Sequence, residues 1–163
     1  MQTLLPIAEK VAQRLIAGKA TIAIAESSTG GLIAAALLAV PGASAYFRGG
    51  AVIYTVHARS GLLGITPEHM IGLRPSTESY AALLAETVRT RHGATWGLGE
   101  TGATGPAGNR YGDASGHCCI AISGPAQTAT TLETASPDRQ ANMRAFAAHA
   151  LTTLLGVIDE VKE

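Results

Sequence analysis

Hydrophobic positions along the chain switch repeatedly between helical spacing and short strand-like runs. Apolar side chains in residues 3–17 recur every three or four positions, which predicts an amphipathic helix. The β-branched run 21–25 predicts a buried strand, and two glycines then lead into a second helix that reaches about residue 39. A strand near 50–54 and a short helix near 58–63 are predicted next.

The middle of the chain continues the alternation. Pro75 and Ser76 precede a long apolar-periodic segment, so a helix is predicted there, with Ser76 as its N-cap and an end near His92. Residues 94–100 read as a buried strand. Five glycines and a proline in residues 102–116 predict a loop.

The last third predicts two adjacent strands and a long helix. Runs at 117–123 and 128–134 are joined by a Gly-Pro turn, and a final helix is expected from Pro137 to about Lys162, with Ser136 as its cap. Strands interleaved with helices, followed by one adjacent pair, are typical of an α/β/α sandwich. We therefore predict one domain over 1–163: three layers around a mixed, mostly parallel sheet with an antiparallel edge.

Composition narrows the function classes. The 163 residues are 47% hydrophobic and only 15% charged, and 12 basic residues balance 12 acidic ones. No basic surplus is present to neutralise phosphates, so a nucleic-acid partner is not expected. Few charges and much alanine favour burial against a second copy, hence a homo-oligomer. No export signal or membrane-length apolar run is visible, so we expect a cytoplasmic protein without a membrane partner.

Neither cysteine nor histidine spacing indicates a metal site. Cys118 and Cys119 are neighbours on a predicted strand, where adjacent side chains point to opposite faces. We interpret them as small strand residues rather than a disulfide or ligand pair. The five histidines are scattered with no His-x-x-x-His pair, and no metal or cofactor is expected. They are His57, His69, His92, His117 and His149.

The turn after the first strand is the strongest candidate for a site. A carboxylate, three hydroxyls and two glycines follow one another at the carboxyl end of a strand, where open α/β sheets place ligands. Free backbone N–H groups at the following helix would favour an anion or an oxyanion. Helix capping alone would explain one hydroxyl, but not this whole group. It comprises Glu26, Ser27, Ser28, Thr29, Gly30 and Gly31.

Two further segments carry reactive side chains after strands. Tyr54, His57 and Arg59 offer a phenol, an imidazole and a cation within six residues, although residue type alone favours surface positions for His57 and Arg59. The glycine-rich loop has neither the P-loop ending nor Gly-x-Gly-x-x-Gly spacing, so it predicts close backbone approach to a ligand or a flexible lid. Its candidate residues are Thr101, Gly102, Thr104 and Gly105. Asp138 and Arg139 open the last helix, where Arg139 could reach a phosphate or be exposed.

Taken together, these segments resemble the CinA carboxy-terminal domain family. The string Ala-Glu-Ser-Ser-Thr-Gly-Gly at 25–31 is similar to that family's Ala-Glu-Ser-Cys/Ser-Thr-Gly-Gly signature. The Tyr54 segment, the Thr-Gly-x-x-Gly-Pro loop and the Asp-Arg pair follow in the family's order, so the resemblance covers roughly residues 5–155. The amino-terminal domain that many such proteins carry is not in this sequence, which resembles the stand-alone form.

The resemblance implies an amidohydrolase that converts nicotinamide mononucleotide to nicotinic acid mononucleotide and ammonia without a metal or cofactor. It maps the nucleophile onto Ser27, an assisting phenol onto Tyr54 and a cationic partner onto Arg59. It also implies that the Thr101-Gly102 loop lines the substrate pocket, with Arg139 near the ligand.

One departure from the family pattern bears on the reaction. The family usually has lysine where this chain has Arg59. Lysine can lose its proton and then accept the serine proton, whereas arginine stays protonated at neutral pH. Three interpretations stay open: Arg59 only stabilises charge while Tyr54 or His57 takes the proton; the pocket binds a nucleotide with weak or no hydrolysis; or the substrate is a different amide.

Overall fold

A five-stranded sheet between two layers of helices forms the computed structural model of the chain, which describes residues 1–161. The strands are β1 (Ile22–Glu26), β2 (Phe47–Val52), β3 (Trp96–Ala103), β4 (His117–Ser123) and β5 (Thr128–Glu133). The helices are α1 (Leu5–Ala17), α2 (Leu32–Leu38), α3 (Val56–Leu63), α4 (Glu78–His92) and α5 (Arg139–Glu160), with short 3₁₀ turns at Ala43–Ala45 and Pro67–Met70.

The strand order is β2-β1-β3-β4-β5. β1 pairs in parallel with β2 and β3, whereas β3 with β4 and β4 with β5 are antiparallel. Four strands therefore run in one direction and only β4 runs against them, which confirms a three-layer fold with a mixed, mostly parallel sheet. The chain leaves β1 towards β2 on one side and returns to β3 on the other, which makes a ligand-binding crevice at the carboxyl ends of β1 and β3.

The two faces of the sheet are covered by different helices. α1, α2 and α5 pack on one face, over side chains that include Ile24, Leu98 and Ile120. α3 and α4 cover the other face, over Ala23 and Ala25 of β1. The two cysteines divide between these faces as predicted: Cys118 belongs to the core beneath α5, and Cys119 packs with alanines of α4. Both thiols are free.

Helix α4 lies unusually close to β3 because two strand residues lack a side chain. A Cβ built at Gly97 would lie 2.1 Å from the Ala85 carbonyl oxygen, and one at Gly99 would lie 2.1 Å from the Ala81 carbonyl oxygen. Both distances are far inside van der Waals contact. The glycines of β3 therefore set the spacing between the sheet and the helix that covers it.

We expect Gly99→Ala to lower the free energy of unfolding by about 1–3 kcal/mol, because α4 must move away from the sheet. The measurement is urea unfolding beside Gly61→Ala, a control in exposed α3 where an added Cβ meets nothing within 4 Å. The control is expected to be stabilised by about 1 kcal/mol, since alanine is the better helix former. Equal stability of both variants would contradict close packing at Gly99.

Several predicted boundaries were wrong by a few residues. The N-cap of α4 is Thr77, whose hydroxyl accepts from the Tyr80 N–H, while Ser76 takes a left-handed conformation and donates its N–H to Thr101. Asp138 rather than Ser136 caps α5, because its carboxylate accepts from the Ala141 N–H.

The sheet also extends further than the hydrophobic runs indicated. β3 continues to Ala103, which pairs with His117, so only the later part of 102–116 is loop. β2 spans Phe47–Val52, ahead of the predicted 50–54. The predicted end of the last helix at Lys162 lies outside the described residues. Within 1–161, no helix is both long and apolar enough to cross a lipid bilayer.

Candidate active site

Three of the sequence-predicted segments follow the carboxyl ends of neighbouring parallel strands. Ser27 follows β1, Tyr54 lies two residues after β2, and Thr104 follows β3. Because β1 stands between β2 and β3, the sheet brings all three segments to one edge. This edge contains the crevice that the strand order creates.

Ser27 has the only uncommitted hydroxyl of its turn. Its side chain is partly exposed and makes no hydrogen bond within the described chain. By contrast, Ser28 and Thr29 are 3% and 0% exposed, and both hydroxyls bond to the Glu100 carboxylate. A hydroxyl that is free and accessible can approach a ligand, whereas its two neighbours are structural.

Glu26 is a helix cap rather than a ligand contact. Its carboxylate accepts from the N–H groups of Gly31, Ile33 and Ala34 at 3.0–3.1 Å, so it closes the first turn of α2. Gly31 permits this turn with a φ of +101°, which favours glycine. Burial raises the pKa of Glu26, and hydrogen bonds from Thr29, Ala34 and Ile33 lower it in part.

Five of the N–H groups that were predicted to be free at this helix start are engaged by carboxylates. The N–H groups of Gly31, Ile33 and Ala34 bond to Glu26, and those of Ser27 and Thr29 bond to Glu100 at 2.9 and 3.0 Å. The protein's own carboxylates therefore occupy these five donors. The side chains of Glu26, Ser28 and Thr29, predicted to bind substrate, bond to each other and to Glu100 and so support the turn.

Glu100 was missed by the sequence analysis. It lies within β3 and is 0% exposed, with no basic residue of the described chain in an ion pair with it. Four donors from the Ser27–Thr29 turn converge on its carboxylate instead. A charged residue in the middle of an otherwise apolar strand was the available signal, because such a residue needs several buried partners.

Arg59 is buried, although its residue type favoured the surface. It is 8% exposed, and its Nε has no hydrogen-bond partner. Burial raises the pKa of the Tyr80 phenol, and the nearby Arg59 guanidinium partly offsets this rise. Arg59 is thus a buried cation without a carboxylate, a setting that suits an anionic group of a ligand. His57 is exposed, as predicted.

Tyr54 and Arg139 meet across a pocket of about 320 Å³. The Arg139 guanidinium donates to the Tyr54 hydroxyl oxygen at 3.2 Å and to the Gly105 carbonyl at 2.9 Å, and it lies 5.9 Å from the Tyr54 ring centroid. The backbone of residues 102–109 forms the rest of the wall. The sequence analysis left open whether Arg139 contacts a ligand or is simply exposed. In the structure it lines this pocket and is also exposed to solvent.

The glycine loop approaches the first turn closely. A Cβ at Gly102 would lie 2.4 Å from the His117 carbonyl oxygen and 3.2 Å from Ser28 Oγ, so only glycine fits there. The hydroxyl of Thr101 accepts from the Ser76 N–H, and Thr104 is buried with its carbonyl bonded to Asn142. These bonds hold the loop in place, and Thr104 also lines the pocket.

The far end of this loop is fixed to the segment before α4. Arg74 forms a two-pronged ion pair with Asp113 at 2.6 and 3.1 Å and lies 5.6 Å from the Tyr111 ring centroid. Asn109 also bonds to Asp113. Hydrogen bonds and an ion pair thus hold both ends of the loop against the rest of the domain.

His117 joins three segments near the loop. Its Nδ1 bonds to Glu133 and its Nε2 to the Ser76 carbonyl, both of which are acceptors, so both ring nitrogens donate and the imidazole is charged. Burial lowers the pKa of His117, but the bonds to Glu133 and Ser76 outweigh it and the net shift is upward.

The raised pKa of His117 has a defined effect on stability. The stabilisation of the folded state by the charged His117 is complete below the ordinary histidine pKa of about 6.5. It is lost as the pH rises through the higher pKa that His117 has in the folded protein. We expect urea midpoints to decline over that window, and His117→Gln to remove this part of the decline. His57→Gln, at an exposed histidine, is the control. A decline unchanged in His117→Gln would mean that this imidazole is not charged.

A second pocket, of about 400 Å³, lies between α4 and β5 and is larger than the first. Two of its polar side chains, Glu86 and Ser123, already bond to each other and to Arg89. It holds none of the sequence-predicted residues. We therefore place the candidate active site at the Tyr54–Arg139 pocket, whose wall includes Tyr54, Arg139 and the predicted loop residues. Ser27 and Arg59 are not among the residues that line it. No group of three or more potential metal ligands occurs in the part of the chain that the structure describes.

Comparisons with known proteins agree with this fold and with the sequence motifs. The family model described as the CinA C-terminal domain matches residues 4–158. A CinA-like protein of Gloeobacter violaceus is 41% identical over 122 residues, 75% of this chain and 29% of that protein. One of Desulfosudis oleivorans is 38% identical over 151 residues, 92% of this chain and 37% of that protein. The chain thus spans about a third of the length of these relatives.

Solved structures of the same superfamily have the same fold. A competence-damaged protein (CinA) superfamily protein from Klebsiella pneumoniae superimposes with a TM-score of 0.89 at 23% identity, covering 96% of this chain and 98% of that one. The superfamily protein from Enterobacter cloacae has a TM-score of 0.87 at 26% identity, covering 95% and 92%.

Proposed function

The chain belongs to the CinA C-terminal domain family, and on that premise we propose that it is a nicotinamide-nucleotide amidohydrolase with Ser27 as nucleophile. The substrate is nicotinamide mononucleotide, whose carboxamide is hydrolysed to the carboxylate of nicotinic acid mononucleotide with release of ammonia. No metal or cofactor enters the reaction. The site residues are those that the sequence motifs share with the family.

A single observation carries the assignment of the nucleophile. Of the three consecutive hydroxyls in the turn after β1, only that of Ser27 is free and accessible, because Glu100 engages the other two. Nucleophilic catalysis requires a side-chain oxygen that is not already held by the protein. The structure thus supports Ser27 over both of its neighbours.

The chemical steps follow from the groups around the pocket. Ser27 Oγ attacks the carboxamide carbon, and the developing oxyanion is stabilised by positive charge, for which the buried and unpaired Arg59 is the candidate. The serine proton passes by way of the Tyr54 phenol to the departing amide nitrogen, which leaves as ammonia. Water then cleaves the acyl-serine and restores the hydroxyl.

Arg139 donates to the Tyr54 phenol and places a cation on the pocket wall. A guanidinium that is still partly exposed can also bind a phosphate oxygen. An arginine and a phenol on the wall of a pocket of about 320 Å³ suit a small anionic substrate better than a neutral one. This charge is the reason to test phosphorylated amides first.

One observation favours a second candidate function, a nucleotide-binding protein without hydrolysis. No general base bonds to Ser27 Oγ in the described chain, and Arg59 stays protonated where a lysine could accept the proton. Such a homologue would keep the pocket and the cations but would not release ammonia. The same observation is compatible with hydrolysis of a different small amide.

The test is incubation of the purified protein with nicotinamide mononucleotide, with chromatography of nicotinic acid mononucleotide and an ammonia assay. Equimolar acid and ammonia support the amidohydrolase. A rise in melting temperature with the nucleotide, but without product, supports the binding protein. If neither product nor a shift occurs, a parallel series of other small amides decides whether hydrolysis of any kind takes place.

A further inference from the structure

The Thr29 hydroxyl lies between two buried carboxylates. Its oxygen is 2.7 Å from Glu26 Oε2 and 2.7 Å from Glu100 Oε2. Both distances are those of a hydrogen bond between oxygens. The two glutamates are 1% and 0% exposed, so water does not separate them from the hydroxyl.

A threonine hydroxyl has one proton and can donate to only one of two ionised carboxylates. Two oxygens 2.7 Å apart without a proton between them would repel each other in a buried, low-dielectric site. Two hydrogen bonds at Thr29 therefore need a second proton, which a carboxyl group has to supply. Both contacts are satisfied when one of the two glutamates is a neutral acid that donates to Thr29, which in turn donates to the other.

The surroundings of the two carboxyl groups are consistent with a single negative charge. No lysine, arginine or histidine of the described chain forms an ion pair with either one. From β4, the Cys118 thiol lies 3.9 Å from Glu100 Oε1, and burial raises the pKa of that thiol well above its usual value. From α5, the side chain that reaches this turn is the neutral Met143, next to Gly30. Two unpaired carboxylates here would repel each other with no cation to compensate.

We propose that Glu26 and Glu100 share one proton through the Thr29 hydroxyl, and that Glu100 is the positioning residue of Ser27. Glu100 accepts the Ser27 and Thr29 N–H groups on one oxygen and the Ser28 hydroxyl on the other. Glu26 accepts from the N–H groups of Gly31, Ile33 and Ala34. The protonated pair thereby defines the backbone from which the free Ser27 hydroxyl projects.

The charge state of the pair also bears on the reaction, in a step that rests on the proposed function. An oxyanion forming at Ser27 is disfavoured by each negative charge behind the turn. Loss of the shared proton at alkaline pH adds one such charge and forces the two carboxylates apart. Turnover is therefore expected to fall as the pair ionises, independently of the residue that takes the serine proton.

The first test measures the proton without any substrate. At neutral pH, the infrared spectrum of the wild-type protein is expected to show the carbonyl band of one buried protonated carboxylic acid. Glu100→Gln should remove this band, because it removes one of the two carboxyl groups that share the proton. Glu9→Gln, at an exposed glutamate of α1, should leave it unchanged. Absence of the band in the wild type, or its persistence in Glu100→Gln, would overturn the shared proton.

A second test measures proton uptake on folding. Both carboxyl groups are ionised in the unfolded chain at neutral pH, so a shared proton makes the folding equilibrium constant fall about tenfold per pH unit relative to a variant without it. The slope for Glu100→Gln is expected to be shallower by this amount. Parallel slopes would overturn the proposal. If Glu100→Gln does not fold, the infrared band of the wild type alone decides the matter.

The positioning role has its own readout, the amide hydrogen exchange of Ser27 and Thr29. The new amide side chain in Glu100→Gln retains an oxygen acceptor for both N–H groups, whereas Glu100→Leu provides none. Protection of these two amides is expected to survive in the glutamine variant and to be lost in the leucine variant, with the amides of β1 still protected in both. Equal protection of Ser27 and Thr29 in all three proteins would mean that Glu100 does not hold the turn. Neither readout requires turnover, so failure of the proposed reaction remains distinguishable.

Discussion

Replacement of Ser27 by alanine is expected to lower turnover of nicotinamide mononucleotide by on the order of 10⁴-fold or more, the magnitude seen when a catalytic serine is removed. The change deletes an oxygen that makes no hydrogen bond within the described chain, so stability should be unaffected. The measurement pairs product formation with a urea melt of the same sample. A complete loss of product at wild-type stability would identify Ser27 as the attacking group.

Ser28→Ala is the matched control, because it removes the same oxygen one residue further along. The Ser28 hydroxyl is buried and bonded to Glu100. Its loss leaves a carboxylate oxygen poorly satisfied and should lower the free energy of unfolding by about 1–3 kcal/mol, with a far smaller effect on turnover per folded molecule. Retained turnover in Ser27→Ala, or its complete loss only in Ser28→Ala, would contradict the assignment of the nucleophile to Ser27.

The layers of the fold, and the edge of the sheet at which the candidate site lies, could be predicted from the spacing of hydrophobic residues along the chain. Short buried runs alternating with helical spacing specify strands and helices, and ligand-binding loops follow the carboxyl ends of the strands. Ser27, Tyr54 and Thr104 were located in this way. The errors at the helix caps arose because Ser76 and Ser136 each stand close to a residue, Thr77 or Asp138, that caps equally well by type. Only the backbone conformation distinguishes the two.

The hydrogen-bond network of the site could not be predicted because its members are far apart in the chain. Glu100 is 73 positions from Ser27, and only the pairing of β1 with β3 brings its carboxylate beneath the turn. The burial of Arg59 has a similar cause, since α3 and α4 together enclose a side chain that its residue type assigns to solvent. Residue type predicts which groups can react; the tertiary contacts determine which of them are free to do so.

Arg59→Met is expected to separate stability from function. The buried Nε of Arg59 has no hydrogen-bond partner, and an unsatisfied buried polar group costs about 1–3 kcal/mol. Methionine fills a similar space without that polar group, so the free energy of unfolding should rise by about this amount. Turnover should fall about 10²–10³-fold if, as proposed, Arg59 stabilises the oxyanion. Product formation and urea unfolding, measured on the same preparation, test both effects.

Arg48→Met supplies the control, since Arg48 is an exposed cation on β2 and its loss should change neither quantity appreciably.

Arg59→Lys tests whether the reaction lacks a group that accepts the Ser27 proton. Lysine keeps a positive charge at the same position but can also give up its proton, so a rise in turnover would show that the wild-type site is limited by a missing base. A stabilised Arg59→Met with undiminished turnover would mean that this buried cation serves neither the oxyanion nor the substrate, and the search for the anion-stabilising group would move to Arg139.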